Sequence, residues 1–547
     1  MNIRKLMLQQ IEAGLHRKTL ETPSKWATDV LGLNYDAHPW ERDMINSDAL
    51  VNIGCKSAQM GYSTAGLVIS LFTIDIKKQN CLYLLPTKTP DATDFSSSRF
   101  DPMIESSEHL QKVFRATKNV GHKRAGKTNL WIRGMNSRSA LKSIDPTLIV
   151  FDELDEMDKD KVVLAEFRQS GQKSSTKRLW KISTPTIPEF GIAKVMLEST
   201  QEHFFFKCPH CSRQTELLWP DCFELCGENL GDPDLKRSFL KCKECQHELE
   251  HGEDGIAKIE WLKTGKWLPT VDNPNWDCRG FYINQLYSTT VSPFEIAQWV
   301  IRAKFDVASD QELHNSMMGL PYVGDGMQID DATIERVKGT HHKSQVPPSG
   351  AKVITMGVDP GKWLNYCVCQ WTFSKFENDL NMSAHCKVLD EGKVPDYKDL
   401  QVIMQTFRPQ MTVVDSEPES RLSYEFATQY WGHVKVAKFT KGNTERLINV
   451  NRDQNNHYIT LDRTSWLDCT LGRFRSQRIT LPVDVSEDFK EHVKALVKRY
   501  ETDSNGNPKA IYLSRGADHS AFALLYAEVA LPLAASLVQN QDVARFL

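Results

Sequence analysis

The stretch Thr147-Leu148-Ile149-Val150-Phe151-Asp152-Glu153 decides the fold class. Its run of apolar, partly β-branched residues ends in two carboxylates, which is typical of a buried strand in a parallel sheet. Open α/β sheets bind ligands at the carboxyl ends of their strands. We therefore expect Asp152 to hold Mg²⁺, directly or through water, and Glu153 to polarise a water for attack on a γ-phosphate. The alternative is a core strand followed by a solvated acidic turn, and an upstream phosphate loop would decide between the two.

A phosphate loop in altered form precedes this strand. The sequence Lys56-Ser57-Ala58-Gln59-Met60-Gly61-Tyr62-Ser63 follows one apolar strand pattern and leads into an apolar helix. Relative to the usual pattern G-x-x-x-x-G-K-[ST], the second glycine and the hydroxyl residue are kept, whereas Tyr62 replaces the lysine. Lys56 stands at the first glycine, and from there its ammonium can reach the same phosphates; a chance Ser/Gly turn is the alternative. The predicted nucleotide-binding residues are Lys56, Ser57, Gly61, Tyr62, Ser63 and Asp152.

An aromatic cluster, His38-Pro39-Trp40-Glu41-Arg42, lies just before the first predicted strand. An aromatic ring at this place in the chain either stacks on adenine or packs against the edge of the sheet. The sequence leaves both alternatives open.

Length and composition limit the class of protein. A chain of 547 residues is too long for one core, so we expect two or three domains. With 25% charged residues and a net charge of −3, any nucleic-acid surface must be local. The start of the chain resembles a polar amphipathic helix rather than a signal peptide, and the longest apolar run, 521–538, contains Glu528 and Pro532, which favours a packed helix over a membrane span. Thirteen cysteines without a secretion signal predict an intracellular protein with reduced thiols and a metal site.

Two C-x-x-C pairs form the predicted metal site. Each short turn directs two thiolates at one point, which suits tetrahedral, structural Zn²⁺. The gap between the pairs is longer than in common zinc ribbons, and free thiols in a loop are the alternative. The predicted ligands are Cys208, Cys211, Cys242 and Cys245, and the nearby residues that would substitute for one of them are Cys222, Cys226, His210 and His247.

Three carboxylates in the C-terminal part predict a second metal site. Asp359 and Asp415 each end an apolar strand pattern, and Asp518 precedes an apolar helix. This order fits an RNase H-like domain, in which such acids hold two divalent ions, Mg²⁺ or Mn²⁺, about 4 Å apart for in-line attack on a phosphodiester. For each aspartate alone, a strand-end turn or a helix N-cap is the alternative. The residues predicted to assist them are Glu417, Glu419 and His519.

Together the motifs and their order resemble the large terminase subunit of tailed phages, in the lambda-like GpA family. The resemblance covers nearly the whole chain. Its marks are the lysine-first loop, the Asp152-Glu153 strand end, the Ser183-Thr184-Pro185-Thr186 turn, the cysteine pairs, Asn315 to Pro321 and Gly357-Val358-Asp359.

The resemblance implies an α/β fold with an N-terminal P-loop ATPase domain of the ASCE type, a zinc-knuckle insertion and an RNase H-like nuclease domain. The domains predicted from these patterns are a helical lead-in at 1–45, the ATPase core at 46–205, a zinc-knuckle and helical subdomain at 206–342, a linker at 343–351 and the nuclease at 352–547.

The family implies an ATP-driven motor that translocates double-stranded DNA into procapsids and cuts concatemeric genomes. Its implied partners are a small terminase subunit, the portal and further copies of the chain in a ring, with no membrane, in the host cytoplasm. By resemblance, Lys56 and Ser63 bind phosphate and Mg²⁺, Asp152 holds Mg²⁺, Glu153 activates water, and Asp359, Asp415 and Asp518 bind the nuclease metals. The alternatives are a helicase-like translocase with an inactive C-terminal domain, and a non-enzymatic assembly scaffold.

Overall fold

The computed structural model describes residues 22–115, 117–136, 138–324, 326–345, 353–372, 384–440, 448–450, 457–502 and 508–544. The chain divides after Tyr322 into two compact units, each with apolar cores of its own. Among the described helices, none combines the length and the apolar character that crossing a bilayer requires.

The first unit is built on one large, mostly parallel sheet. The strands run in the order β13-β8-β14-β1-β7-β6-β2-β5-β4-β3, and β9 pairs with β8. The strands of this sheet are β1 Val51–Lys56, β2 Cys81–Leu85, β3 Thr117–Asn119, β4 His122–Ala125, β5 Thr128–Gly134, β6 Leu148–Asp152, β7 Arg178–Ser183, β8 Glu202–Lys207, β9 Gln214–Thr215, β13 Lys266–Pro269 and β14 Cys278–Ile283, and those of a separate three-stranded sheet are β10 Phe223–Glu224, β11 Phe239–Lys241 and β12 Glu248–Leu249.

The apolar run of β6 explains why this sheet is covered on both faces. Successive residues alternate between two cores, with Val150 in one and Ile149 and Phe151 in the other. Strand β7 lies between β1 and β6 and is parallel to both, which is the order of an ASCE-type sheet. The ends of the three strands therefore meet at one edge. The predicted α/β class, with a P-loop ATPase fold, is confirmed.

Helices pack on both faces of this sheet and continue to the end of the first unit. The apolar helix α3 follows the phosphate loop, as predicted, and is almost completely buried. The helices are α1 Pro23–Leu31, α2 Pro39–Ile45, α3 Tyr62–Phe72, α4 Thr93–Phe95, α5 Asp101–Glu105, α6 Glu108–Val113, α7 Lys159–Glu166, α8 Gly191–Met196, α9 Ile256–Leu262, α10 Pro293–Ala303 and α11 Val307–Glu312, with π-helical turns at Thr73–Lys77, Lys88–Ala92, Ser96–Phe100 and Leu313–Met317.

The second unit contains a mixed sheet in the order β20-β21-β19-β18-β15-β16-β17-β22 and a separate hairpin, β23-β24. Strands β15, β16 and β17 form an antiparallel meander, and β18 adds to β15 in parallel. The strands are β15 Val353–Pro360, β16 Leu364–Thr372, β17 His385–Val394, β18 Met411–Asp415, β19 Val434–Phe439, β20 Ile448–Val450, β21 Tyr458–Leu461, β22 Ile479–Thr480, β23 Leu496–Thr502 and β24 Pro508–Ser514.

The long helix α17 covers one face of the second sheet. It approaches β15 so closely that a Cβ built on Gly357 would lie 2.0 Å from the Ala523 carbonyl oxygen. The apolar run predicted as a packed helix lies within α17. The helices of this unit are α12 Asp331–Arg336, α13 Tyr397–Phe407, α14 Ser420–Gln429, α15 Arg463–Arg475, α16 Glu487–Lys494 and α17 His519–Ala544.

Residues 323–342 differ from the sequence-based division, which assigned them to the zinc-knuckle and helical subdomain. Ile329, Ile334 and Val337 belong to a core of the second unit. The physical reason is that a short apolar pattern fits either core, and pairing with the second unit decides where it packs: Gln328 bridges to Val497 and Lys338 to Leu481. Most of the predicted linker, 346–351, lies outside the described residues.

Candidate nucleotide, nuclease and metal sites

The ends of β1 and β6 bring a lysine and two acids together at one edge of the first sheet. Lys56 is the last residue of β1, and its Nζ lies 2.8 Å from Oε1 of Glu153 and 3.1 Å from Oγ1 of Thr184. The Lys56 side chain is only 8% exposed, whereas that of Glu153 is 36% exposed. The ammonium is therefore held inside the site while the carboxylate of Glu153 remains open to solvent.

Asp152 is buried beside two hydroxyl groups. Ser63 Oγ donates to its Oδ1 at 3.2 Å, and the phenol of Tyr83 donates to its Oδ2 at 2.6 Å. Burial and the charge of Glu153 raise the pKa of Asp152 to about 6, against the lowering by Tyr83, Lys56 and Ser63. A buried carboxylate next to a serine hydroxyl provides two oxygen ligands of the kind that Mg²⁺ prefers. The donor set therefore fits a magnesium ion.

Glu153 follows the strand end in a left-handed backbone conformation, with φ 62° and ψ 57°. This conformation is uncommon for a residue with a side chain and is found in strained functional sites. It turns the chain sharply after Asp152, so that two consecutive residues both contribute to the same edge.

The phosphate loop leads into helix α3, and residues of α2 pack against the loop. Gly61 has φ +84°, and a Cβ at this position would lie 1.7 Å from Oε1 of Glu41, so the position requires glycine. The indole of Trp40 donates to the Met60 carbonyl at 3.0 Å. The first N–H groups of a helix have no partner within the helix and bind anions. The loop therefore presents a fitting site for phosphate at the start of α3.

Two side chains of the predicted nucleotide-binding set point elsewhere. Tyr62 is 1% exposed, its hydroxyl donates to the Phe281 carbonyl at 3.3 Å, and its ring packs against Gly54, where a Cβ would lie 2.5 Å away. Ser57 is fully buried, and its N–H donates to the Ile283 carbonyl. The loop pattern gives the order of the residues but not the directions of their side chains, so we remove these two side chains from the set.

Trp40 packs against the protein interior. It is fully buried and makes edge contacts with Phe204 and Tyr287. Of the two alternatives left open by the sequence, the structure therefore favours packing over adenine stacking. Glu41, the next residue, lies against Gly61 of the phosphate loop, a contact for which the sequence gives no signal. Its buried carboxylate lies 2.8 Å from Nδ1 of His38, and burial raises its pKa.

In the second unit, Asp359 is the last residue but one of β15 and Asp415 is the last residue of β18. The two strands are parallel neighbours in which Val358 pairs with Val414, so the two acids lie at the same edge. Asp359 Oδ2 lies 2.7 Å from Nδ1 of His519, and the hydroxyl of Tyr526 donates to Asp415 at 2.5 Å. Both tyrosine and histidine sit on helix α17. The helix thus supplies a polar partner to each of the two strand-end acids.

The electrostatics of this edge favour a cation. Burial raises the pKa of Asp359 to about 6; the contact with His519 opposes the shift, and the charges of Asp415 and Asp518 add to it. Burial also raises the pKa of Asp415. Mutual repulsion of carboxylates is relieved when a divalent ion binds between them. Asp518 is half-buried and directly precedes α17, and its charge acts on Asp359. Among the described residues, the ligand atoms of these three acids do not converge as tightly as those of the cysteines described below.

The four cysteines of the two C-x-x-C pairs converge in the first unit. Their Sγ atoms all lie within 4.8 Å of one another, and Cys208 and Cys245 are 3.8 Å apart. A sulfur–sulfur distance of about 3.8 Å is what a tetrahedron with Zn–S bonds of about 2.3 Å gives. Within the described ranges, no other group of three or more acids, histidines and cysteines converges in this way.

None of the four substitutes considered from sequence belongs to this group of converging ligand atoms. Cys222 is buried, and its thiol contacts the Glu216 carbonyl oxygen. The exposed rings of His210 and His247 stack on each other with centroids 5.3 Å apart. Backbone N–H groups of His210 and Cys211 donate to Cys208 Sγ, which is how thiolate charge is stabilised next to a metal.

Comparison with known families matches two models to the chain. The model described as "Phage terminase large subunit gpA, ATPase domain" matches residues 34–267, and "Terminase large subunit gpA, endonuclease domain" matches residues 278–376. Together they cover more than half of the chain, in the order predicted.

Two curated relatives and one solved structure are similar to the chain. The "Terminase, large subunit" of Escherichia phage lambda is 22% identical over 357 residues, covering 59% of this chain and 55% of the relative. That of Enterobacteria phage P21 is 24% identical over 268 residues, covering 46% and 41%. The chain thus spans about half the length of the curated relatives it matches. The "Crystal structure of the HK97 bacteriophage large terminase" is similar at 11% identity with a TM-score of 0.47, covering 89% of this chain and 94% of that chain.

The ATPase model matches the part of the chain that contains Lys56, Asp152 and Glu153, and the endonuclease model matches a later part that contains Asp359. The chain therefore belongs to the gpA family of phage terminase large subunits and carries the ATPase and endonuclease domains of that family.

Proposed function

We propose that the chain is an ATP-driven motor that moves double-stranded DNA into a procapsid and cuts concatemeric DNA with a metal-dependent nuclease. The observation that carries the proposal is the convergence of Lys56, Ser63, Asp152 and Glu153 at one sheet edge beside the start of α3. The side chains provide one cation, two oxygen ligands for a metal and one solvent-exposed carboxylate. The start of α3 adds backbone amides to the same site.

In the ATPase site, each residue has a separate task. The ammonium of Lys56 neutralises phosphate charge, and the amides at the start of α3 orient the phosphates. Ser63 and Asp152 would hold Mg²⁺, which supplies charge compensation on the phosphate oxygens when bound. Glu153 accepts a proton from the attacking water; with 36% of its side chain exposed, it is accessible to that water.

In the nuclease site, Asp359, Asp415 and Asp518 would hold two divalent ions, Mg²⁺ or Mn²⁺, which activate water and stabilise the leaving oxygen when bound. Tyr526 orients the carboxylate of Asp415 through its hydroxyl, and His519 does the same for Asp359. The side chains of this edge thus support in-line cleavage of a phosphodiester.

The cysteine cluster would hold structural Zn²⁺ with Cys208, Cys211, Cys242 and Cys245 as ligands. All four positions of a tetrahedral ion are then filled by protein, so the ion stabilises the fold and does not catalyse.

The partners proposed on the basis of the family are double-stranded DNA, a small terminase subunit, the portal and further copies of the chain in a ring, with the host cytoplasm as the place of action. The domains proposed are an ATPase region with the zinc-knuckle insertion, followed by the nuclease.

The test measures two activities in the full chain. DNA-stimulated ATP hydrolysis and cleavage of plasmid DNA with Mg²⁺ or Mn²⁺ are assayed for the wild type, Glu153→Gln and Asp359→Ala. We expect each variant to lose one activity and keep the other. ATP turnover without cleavage in the wild type would leave a helicase-like translocase, and no ATP turnover would leave only a scaffold.

A further inference from the structure

Residues 315–322 form the last stretch of the first unit, and the chain enters the second unit at Val323. We propose that this exit segment is a positioning element that transmits the nucleotide state of the first unit to the second, and that the side-chain amide of Asn315 holds it in place. The inference rests on the ATPase function proposed above.

The exit segment lies directly on the beginning of the phosphate loop. The N–H of Ala58 donates to the Ser316 carbonyl at 2.6 Å. Gly319 has φ +59°, and a Cβ built on it would lie 2.9 Å from the Ser57 nitrogen and 3.0 Å from the Lys56 carbonyl carbon. Only glycine permits so close an approach in this conformation. The segment and the loop therefore cannot move independently.

The same segment is bonded to the turn that follows β7. The Asn315 amide donates to the carbonyls of Thr186 and Leu320, each at 2.8 Å. The N–H of Tyr322 donates to the same Thr186 carbonyl at 3.0 Å. Asn315 is 3% exposed, so these bonds are shielded from water. Both ends of the exit segment are thus tied to Thr186.

The turn after β7 is also hydrogen-bonded to Asp155, which lies just after strand β6. The carboxylate of Asp155 accepts hydrogen bonds from the N–H and Oγ1 of Thr186, at 3.0 and 2.8 Å. Thr184 Oγ1 accepts a hydrogen bond from the Lys56 ammonium. The exit segment is thus bonded directly to this turn, and the turn is bonded to Asp155, two residues after Glu153.

Two buried polar atoms at this contact are available for hydrogen bonds in a different arrangement of the segment. Within the described residues, Asn315 Oδ1 and Ser57 Oγ have no hydrogen-bond partner. An unsatisfied buried polar atom costs about 1–3 kcal/mol, so an arrangement that satisfies these atoms competes with the present one. The segment also begins within the π-helical turn Leu313–Met317, a widened turn that is frequent at functional sites.

A bound phosphate changes this network because it competes for Lys56. Once the ammonium binds phosphate, its bonds to Glu153 and Thr184 weaken, and the loop and the turn shift relative to each other. The exit segment is bonded to both and has to follow. A ligand shifts an equilibrium only through such differential contacts.

The experiment uses the full chain and measures the rate of plasmid cleavage with and without ATPγS, together with the affinity for a fluorescent ATP analogue. We expect ATPγS to change the wild-type cleavage rate about fivefold or more, and the ratio to fall to about one in Asn315→Ala. Nucleotide affinity and cleavage without nucleotide stay within about threefold of the wild type, because Asn315 contacts neither site.

Asn46→Ala is the matched control, since it also removes two side-chain hydrogen bonds, both to Ser24, from the same unit. It should lower thermal stability comparably and keep the wild-type ratio. Gly319→Ala tests the contact without removing the amide, and it should also bring the ratio to about one.

Two results would overturn the inference alone: a wild-type chain that has both activities but no response to ATPγS, or Asn315→Ala and Gly319→Ala that both keep the response. A wild type that binds no nucleotide would instead overturn the proposed function, and the inference with it. A loss of folding in Asn315→Ala leaves Gly319→Ala to decide.

Discussion

Lys56 and Glu153 form an ion pair of 2.8 Å across the open edge of the first sheet. The pair joins the proposed phosphate ligand to the proposed general base, and the two roles are separable by kinetics. Lys56→Met should weaken nucleotide binding about 10- to 100-fold, the worth of a charge-assisted hydrogen bond. Glu153→Gln should keep nucleotide affinity and lower the turnover of ATP about 100-fold or more. Binding titrations and steady-state hydrolysis of both variants give the two quantities, and equal effects on binding would contradict the assignment.

Tyr526 is expected to tune the nuclease site through Asp415. Tyr526→Phe removes one hydroxyl that donates to this carboxylate, so the Mg²⁺ concentration needed for half-maximal plasmid cleavage should rise about tenfold, with a smaller change in the rate at saturation. Tyr512→Phe is the matched control, because its hydroxyl donates to Asp468 at 2.7 Å in the same unit. Equal metal dependence in both variants would show that the Asp415 contact is only structural.

The cysteine cluster should bind one zinc ion per chain. Cys242→Ser removes one ligand and should lower both the zinc content, measured by elemental analysis, and the temperature of unfolding, because zinc binding contributes to folding. Cys222→Ser changes a buried thiol outside the cluster and should keep the zinc. Zinc-free wild-type protein, purified with zinc present, would contradict the proposal.

Lys258 should make the stability of the first unit depend on pH. Its side chain is fully buried, donates to the Ser288 carbonyl at 2.6 Å, and has its pKa lowered to about 7 by burial. An unfolded lysine has a pKa of about 10.4, so between pH 7 and 10 the unfolded state binds more protons, and this residue makes stability rise with pH by up to about 1.4 kcal/mol per unit.

Lys258→Met removes that slope. The unfolding temperature of the wild type minus that of the variant should therefore increase from pH 6.5 to pH 9.5, as followed by calorimetry. The neighbouring charged groups, His251 and Glu295, remain in both proteins, and the pKa of His251 is lowered to about 4, below this window. A difference that is the same at both pH values would mean that Lys258 stays charged in the folded state throughout this window, as it does in the unfolded state.

Sequence patterns were sufficient for the elements that carry acids. An apolar run that ends in carboxylates, as at Asp152, fixes both the strand and the edge where its side chains lie, because parallel strands end together. The sequence also identified Lys56 as the phosphate-binding lysine of the altered loop, because this prediction needed only its charge and its position in the loop.

The directions of side chains and the pairing of distant segments could not be predicted from the sequence. Tyr62 fits the loop pattern, yet it packs into the space that Gly54 leaves on a neighbouring strand. Tyr83 and Tyr526 look like ordinary residues of an apolar strand and helix, and only the fold places their hydroxyls on carboxylates. The stretch 323–342 was assigned to the zinc-knuckle and helical subdomain, whereas it packs in the second unit. Its apolar residues fit either core, so the sequence pattern did not distinguish the two.

The exchange of Lys56 and Tyr62 changes which part of the protein carries the positive charge. In the usual loop the lysine begins the helix, whereas Lys56 ends a strand that is hydrogen-bonded on both sides, to β7 and β14. Motions of helix α3 therefore leave the charge in place, while a shift of the sheet carries it along. Helix α3 begins instead with the buried side chain of Tyr62. The positive charge and the helix amides that face the phosphate site are therefore carried by two different elements, a central strand and a helix.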